Sequence, residues 1–272
     1  MAKKAKKSRK PKKISKVRRI AENVILIALL GIMLISAYNV YTILSAYKEN
    51  KKSYDKVSTV AGAEIFTGNI DFEELSKINP DIVGWLYYKD NKINYPIVQG
   101  NDNNKYLTTL FDGNYSAAGT LFVEYTTKKA FNQFNTIVYG HHMRDGSMFG
   151  DLKKLRDREY CDKNPRMELI TPKGKYHVDI WVFLNEPADS SLYLTNLKEV
   201  TEKREYIDKI ETIAEYTTSV TVTPKDKLIV LSTCAYEYKD ARYVVIGKLV
   251  PWTKEELQAA KVQDIKDATG IE

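Results

Sequence analysis

Cysteine is nearly absent from this chain: 272 residues hold two, Cys161 and Cys234. That excludes a disulfide framework, which needs several pairs in a short chain. A single Cys161–Cys234 bridge stays open, because sequence alone cannot place two side chains within reach. A chain of this length buries a core of its own and needs no such staple. Histidine is scarce too, at three residues, of which His141 and His142 are adjacent. Neighbouring side chains on one backbone seldom reach the same ion, and no Cys-x-x-Cys or His-x-x-x-His pair occurs, so no metal is expected. No acidic cluster has calcium-loop spacing. The Gly-x-Ser-x-Gly elbow of serine hydrolases is missing, no internal repeat is visible, and no cofactor is expected.

Charge is missing in two places, and both are informative. Residues 1–19 contain no acid but 11 of the 42 lysines and arginines, which leaves 31 basic against 35 acidic residues elsewhere, a net of −4. The overall charge of +7 therefore belongs to a tail. A basic arm alone could bind nucleic acid. The adjoining segment argues against that: "NVILIALLGIMLISAYNVYTILSAY", from Asn23 to Tyr47, carries no charge at all. As a helix it is about 37 Å long, enough to cross a hydrocarbon core of about 30 Å. Tyr38, Tyr41 and Tyr47 lie toward its far end, where aromatic rings favour the membrane interface. The lysine and arginine excess on the near side keeps the tail in the cytoplasm. The expectation is a cytoplasmic tail (1–22), a transmembrane anchor (23–47), a polar, partly helical connector (48–68) and an extracytoplasmic domain (69–272). A cleaved signal peptide ending near Ser36-Ala37 is the rival reading, but the apolar run continues past that point.

The rest of the chain is rich in short apolar runs. "DFEELSKI" has acids in its first turn, as the helix dipole favours, and Asn79-Pro80 should end that helix. Then come "IVGWLYY", "INYPIVQG", "GTLFVEY", "FNTIVYG", "RMELITP", "KYHVDIWVFL", "SVTVTP", "KLIVLSTC" and "ARYVVIGKLV", separated by turn residues. Eight or nine such strands predict a closed antiparallel barrel or a sandwich. "MFGDLKKLRDREYCD" and "LTNLKEVTEKREYIDKIETIAEYT" are expected to interrupt it as helices, the second with Val200, Tyr206, Ile207, Ile210 and Ile213 near helical spacing. A last helix should start after Pro251-Trp252, where Thr253 and Glu256 have capping-box spacing.

Three histidines, two cysteines and one arginine are the candidates for chemistry. Alternation along "KYHVDIWVF" puts His177 on the solvent face with Asp179. His141 and His142 come after a core strand ended by Gly140 and precede a glycine-containing turn, a place where a cleft forms, though on this stretch alone a loop histidine with local hydrogen bonds is the simpler reading. Cys161 has no clear partner and reads as structural. Cys234 ends the aliphatic run Leu228–Leu231; a buried, inert thiol is the simpler reading of it alone. Arg242 starts the next strand. Together they suggest more. A thiol is a good nucleophile only as thiolate, which an imidazole can supply. Attack on a carbonyl builds negative charge on oxygen, which a fixed guanidinium can hold.

"IVLSTCAYEYKDARYVVIGKL" resembles the active-site segment of sortases, whose signature is Thr-Leu-Xaa-Thr-Cys or a near variant with an arginine on the next strand. "VYGHHMRDGSMFGDLKKL" is similar to the histidine segment of class B sortases, except that His142 replaces the usual asparagine. "INYPIVQGNDNNKYL" and "AAGTLFVEY" are similar to the early strands of that class, and the helix ahead of the cysteine strand is class-B-like as well. The resemblance spans about residues 65–250. It implies a mainly β fold, an eight-stranded closed sortase-type barrel with helical insertions behind one transmembrane helix. It implies a membrane-anchored cysteine transpeptidase of a Gram-positive type bacterium. Cys234 would be the nucleophile, His141 rather than His142 the general acid and base, and Arg242 the oxyanion and substrate ligand. The implied partners are a sorting-signal peptide of secreted surface proteins and an amine of the peptidoglycan cross-bridge or its lipid-linked precursor. A pilus-polymerising enzyme using a pilin lysine, a hydrolytic cysteine peptidase and a non-enzymatic scaffold are the alternatives.

Overall fold

The computed structural model describes residues 16–62, 69–89, 92–234 and 240–260; of Cys234 it describes the backbone only. The chain divides into two compact units, residues 1–49 and 50–272. In the first, helix α1 (Lys16–Val60) begins. Its stretch from Arg18 is long and apolar enough to cross a membrane, and the apolar side chains from Ile20 to Leu44 are exposed.

In the second unit the last turns of α1 turn Tyr54 and Val57 inward, with Ala61 just beyond the helix. The stretch read as a connector thus contributes core residues. Helix α2 (Phe72–Ile78) starts at Asp71, whose side chain accepts the Glu74 amide, and stops at Asn79. Eight strands then close a barrel. They are β1 (Ile82–Tyr88), β2 (Ile93–Val98), β3 (Leu121–Val123), β4 (Asn135–Tyr139), β5 (Arg166–Thr171), β6 (Gly174–Pro187), β8 (Lys227–Cys234) and β9 (Ala241–Pro251). The order β5-β1-β2-β3-β4-β8-β9-β6 is sealed by a β5–β6 pairing, with the two-residue β7 (Tyr216–Thr217) beside β6. Among the described residues, closure leaves no long strand edge open.

The barrel is mixed rather than antiparallel. β2–β3 and β4–β8 run parallel. A parallel pair needs a long crossover, and the one between β4 and β8 carries β5, β6, β7, α3 (Arg158–Lys163) and α4 (Val200–Ile213). α4 explains the unbroken apolar character of β8. Ile229 and Leu231 face the barrel interior, while Leu228 and Val230 pack under Tyr206, Ile207 and Ile210 of α4. A strand covered on both faces has no polar side to alternate with.

Three local expectations need correction. "SVTVTP" is not a strand: its alternation arises because Val222, and in part Val220, bury into the α4 layer with no partner strand. The helix around Cys161 is broken at Asp157, which ends a 3₁₀ turn (Gly150–Arg156) and accepts the Glu159 amide at 2.9 Å to cap α3. The long helix begins only at Val200, because Glu199 and Glu202 form a reciprocal capping box there. The last helix does start as read, with the Thr253 amide on Glu256 at 2.7 Å and the Glu256 amide on Thr253 Oγ1 at 3.2 Å.

Candidate active site

β4, β8 and β9 are neighbours, and their register brings three ends to one rim. Tyr139 is paired with Ser232 in the parallel β4–β8 ladder, and the Gly140 amide donates to the Ser232 carbonyl at 3.1 Å. His141 is next after Gly140, and Cys234 lies two beyond Ser232. On the other side Cys234 pairs with Arg242 across the antiparallel β8–β9 ladder. Adjacent strands are about 4.8 Å apart, so the three residues start from neighbouring backbone positions. The Cys234 side chain and residues 235–239 lie outside the described residues.

The turn after β4 fixes the histidines in opposite directions. Gly140 is required there: a Cβ would sit 2.5 Å from Leu121 Cδ2 and 2.6 Å from the Phe149 ring. The Phe149 amide closes the turn on the His141 carbonyl at 3.0 Å, and Lys92 Nζ donates to the Asp145 carbonyl. His142 is buried, with its ring 5.7 Å from that of Tyr243. His141 stays at the rim, its Nε2 2.7 Å from the Leu107 carbonyl. A carbonyl oxygen only accepts, so Nε2 carries the hydrogen and Nδ1 is left as the nitrogen for proton transfer.

Arg242 is half-buried, and its Nη1 donates to the Ala241 carbonyl at 3.0 Å. The guanidinium acts on the Tyr139 hydroxyl in opposition to stronger effects. Burial first, then the Glu124 carboxylate, hold that hydroxyl far above the usual phenol range. Tyr139 is therefore a neutral donor, at 3.1 Å to Glu124 Oε2, which also accepts Asn103 Nδ2 at 2.7 Å. Tyr193 lies beside Tyr139, ring centroids 6.2 Å apart, and shares a hydrogen bond of 2.9 Å with Ser232 Oγ. Sequence reasoning did not single out Leu107, Glu124, Tyr139 or Tyr193. Only Tyr139 had a readable signal, its place just before Gly-His.

Two other candidates lie elsewhere. Cys161 is a free, buried thiol, and burial pushes its pKa up. His177 is not a solvent-face residue. The last helix covers that face, and His177 bonds Glu168 and Glu256 through its two ring nitrogens at 2.9 Å each, stacked on Trp252. Among the described residues no cluster of histidine, cysteine and carboxylate groups could hold a metal ion.

Residues 88–250 match the family model of the sortase domain. The chain is 36% identical to sortase B of Listeria monocytogenes over 211 residues, which cover 75% of this chain and 86% of that one. It is similar to the crystal structure of sortase B from B. anthracis in complex with AAEK1, with TM-score 0.68, 34% identity and coverage of 77% of this chain and 100% of that one. A Staphylococcus aureus sortase B–substrate complex matches with TM-score 0.68 at 26% identity, covering 76% of this chain and 98% of the other.

Proposed function

Given that this chain belongs to the sortase family of cysteine transpeptidases, we propose that it cleaves a C-terminal sorting signal of secreted proteins and transfers them to a peptidoglycan amine. The observation that carries this reading is the convergence of His141, Cys234 and Arg242 on the adjacent ends of β4, β8 and β9.

Cys234 passes its thiol proton to His141 Nδ1 and attacks the scissile carbonyl as the thiolate, and the carbonyl π electrons move to oxygen. Arg242 holds that oxyanion. Collapse breaks the C–N bond as His141, through Nδ1, gives a proton to the leaving amine, and a thioester remains. The incoming amine attacks the thioester and passes its proton to His141. A second tetrahedral intermediate collapses, the C–S bond breaks, and the thiolate is restored. One acyl-enzyme serves both halves, so ping-pong kinetics are expected. The buried, proton-retaining thiol of Cys161 cannot take this part.

Residues 23–47 would anchor the enzyme, with the basic tail in the cytoplasm and the barrel outside. That arrangement puts the site next to lipid-linked precursors. The test is the full chain in detergent with a panel of sorting-signal peptides, with and without an added oligoglycine or diamino-acid amine, read by mass spectrometry. An amide between peptide and amine supports the reading. Hydrolysis alone, undiminished by the amine, would make the protein a peptidase, and a lysine-bearing pilin segment as the sole acceptor would make it a polymerase.

A further inference from the structure

His141 rests on a carbonyl, and that carbonyl is itself held from behind. Leu107 ends the 3₁₀ turn Lys105–Leu107. Asp102 Oδ1 accepts the amides of Asn104 and Lys105 at 2.6 and 2.8 Å, which fixes the start of the turn. Gly119 lies against its end. There φ is +56°, and a Cβ would stand 2.3 Å from the Tyr106 carbonyl oxygen and 2.7 Å from that of Leu107. The next amide, Thr120, donates to the Tyr106 carbonyl at 3.0 Å. The 119–120 backbone is thus a backstop for the carbonyl that meets His141.

The backstop is clamped by α1. The Tyr54 hydroxyl donates to the Gly119 carbonyl and lies 3.3 Å from Thr120 Oγ1, whose own hydrogen goes to the Thr109 carbonyl at 2.8 Å. The Tyr54 ring is buried edge-on against Tyr95, centroids 5.0 Å apart. At the preceding position of the helix, Ser53 Oγ donates to Asp112 Oδ2 at 2.7 Å, on the same segment between β2 and β3. Tyr54 is therefore a rigid donor with no solvent to compete for its hydrogen.

We propose that Tyr54 is a positioning residue for His141, acting through Gly119 and the Leu107 carbonyl to hold the imidazole as the Nε2–H tautomer with Nδ1 available for catalysis. The inference rests on the reading of His141 as the general acid and base. It makes the last turns of α1 part of the catalytic apparatus rather than a spacer. Loss of the hydroxyl lets the 119–120 backbone and the Leu107 carbonyl relax, and the ring then samples the other tautomer and other orientations.

The test uses the full chain in detergent with ring-¹⁵N histidine, the His141 signals assigned by their loss in His141→Gln. Thermal unfolding and the pH profile of Cys234 alkylation by iodoacetamide, read by peptide mass spectrometry, accompany it. In the parent, neutral His141 should be Nε2–H. In Tyr54→Phe, which keeps the ring and the packing, its signals should move toward a tautomer mixture, and Cys234 alkylation should slow about three- to tenfold, the weight of one net hydrogen bond. A folded Tyr54→Phe protein with unchanged His141 ring signals overturns the proposal. So does a parent spectrum showing Nδ1–H, which decides the matter even if the variant does not fold. If His141→Gln leaves the alkylation profile as in the parent, the catalytic reading of His141 fails, while the ring spectra still decide the relay.

Discussion

The two cysteines differ by what surrounds them. Cys161 is buried in α3, and burial holds its thiol protonated. Cys234 ends a strand opposite Arg242. Cys161→Ala should keep most transpeptidation and Cys234→Ala should keep none, measured by product formation with a sorting-signal peptide and an amine. Equal loss in both would remove the assignment. Arg242→Lys separates charge from shape. The positive charge remains, but the planar fork of donors is replaced by a hydrated ammonium on a flexible stem. Turnover should fall roughly 10²–10³-fold, the usual effect of losing an oxyanion donor, with KM little changed and the circular dichroism spectrum retained. A variant within about threefold of the parent, far short of that loss, would make Arg242 a bystander.

Among the elements, the turn from Gly140 to Gly150 is tightly packed at its glycines. Gly140→Ala puts a methyl group into the Phe149 ring and Leu121. Overpacking of that kind costs about 1–3 kcal/mol, and the shift passes directly to His141. Melting temperature and activity should both drop; a silent substitution would mean the turn is softer than its contacts imply. The last helix makes a pH prediction. The Glu256 carboxyl is pulled down to about 2 from 4.5, first by the Thr253 amide and then by His177. Its folded-state value is depressed, so its contribution is present above pH 4.5 and lost as the pH falls from there toward about 2. The His177–Trp252 stack should loosen in that window, visible as a change in tryptophan fluorescence that Glu256→Gln removes. A titration unchanged by that substitution would assign the acid step elsewhere.

At the level of the molecule, the apolar helix and the barrel can be cut apart, but the position of the cut matters. The compact unit begins at Asn50. A protein starting at residue 48 keeps Tyr54, Val57 and Ala61 in place and should be soluble and active. One starting at residue 62 loses them. Burying a side chain such as valine or tyrosine contributes about 1.5–3 kcal/mol, so this cut removes roughly 3–6 kcal/mol from a total of about 5–15 kcal/mol. Urea unfolding of the two fragments checks this. Equal midpoints would make residues 50–61 dispensable.

Sequence alone sufficed wherever the signal is local. The charge-free run from Asn23 to Tyr47 marks an apolar helix because hydropathy needs no tertiary partner. Glycine, asparagine and proline between β-branched runs mark most strands, and Thr253 with Glu256 marks a helix start through a cap that spans three residues. The cysteine, the arginine and the paired histidines were legible as motif residues. Everything else waited on the fold, because it depends on contacts far apart in the chain. Parallel pairing of β4 with β8 depends on a crossover of more than eighty residues, and it is what brings His141 beside Cys234 in backbone position. The alternation of "SVTVTP" reports burial under α4, and periodicity alone cannot tell that from strand pairing. His177 alternates outward as read, yet the chain after β9 folds over it and supplies Trp252 and, from the last helix, Glu256. The Leu107 carbonyl could not be read at all, because every residue has one, and only the fold chooses which of them meets an imidazole.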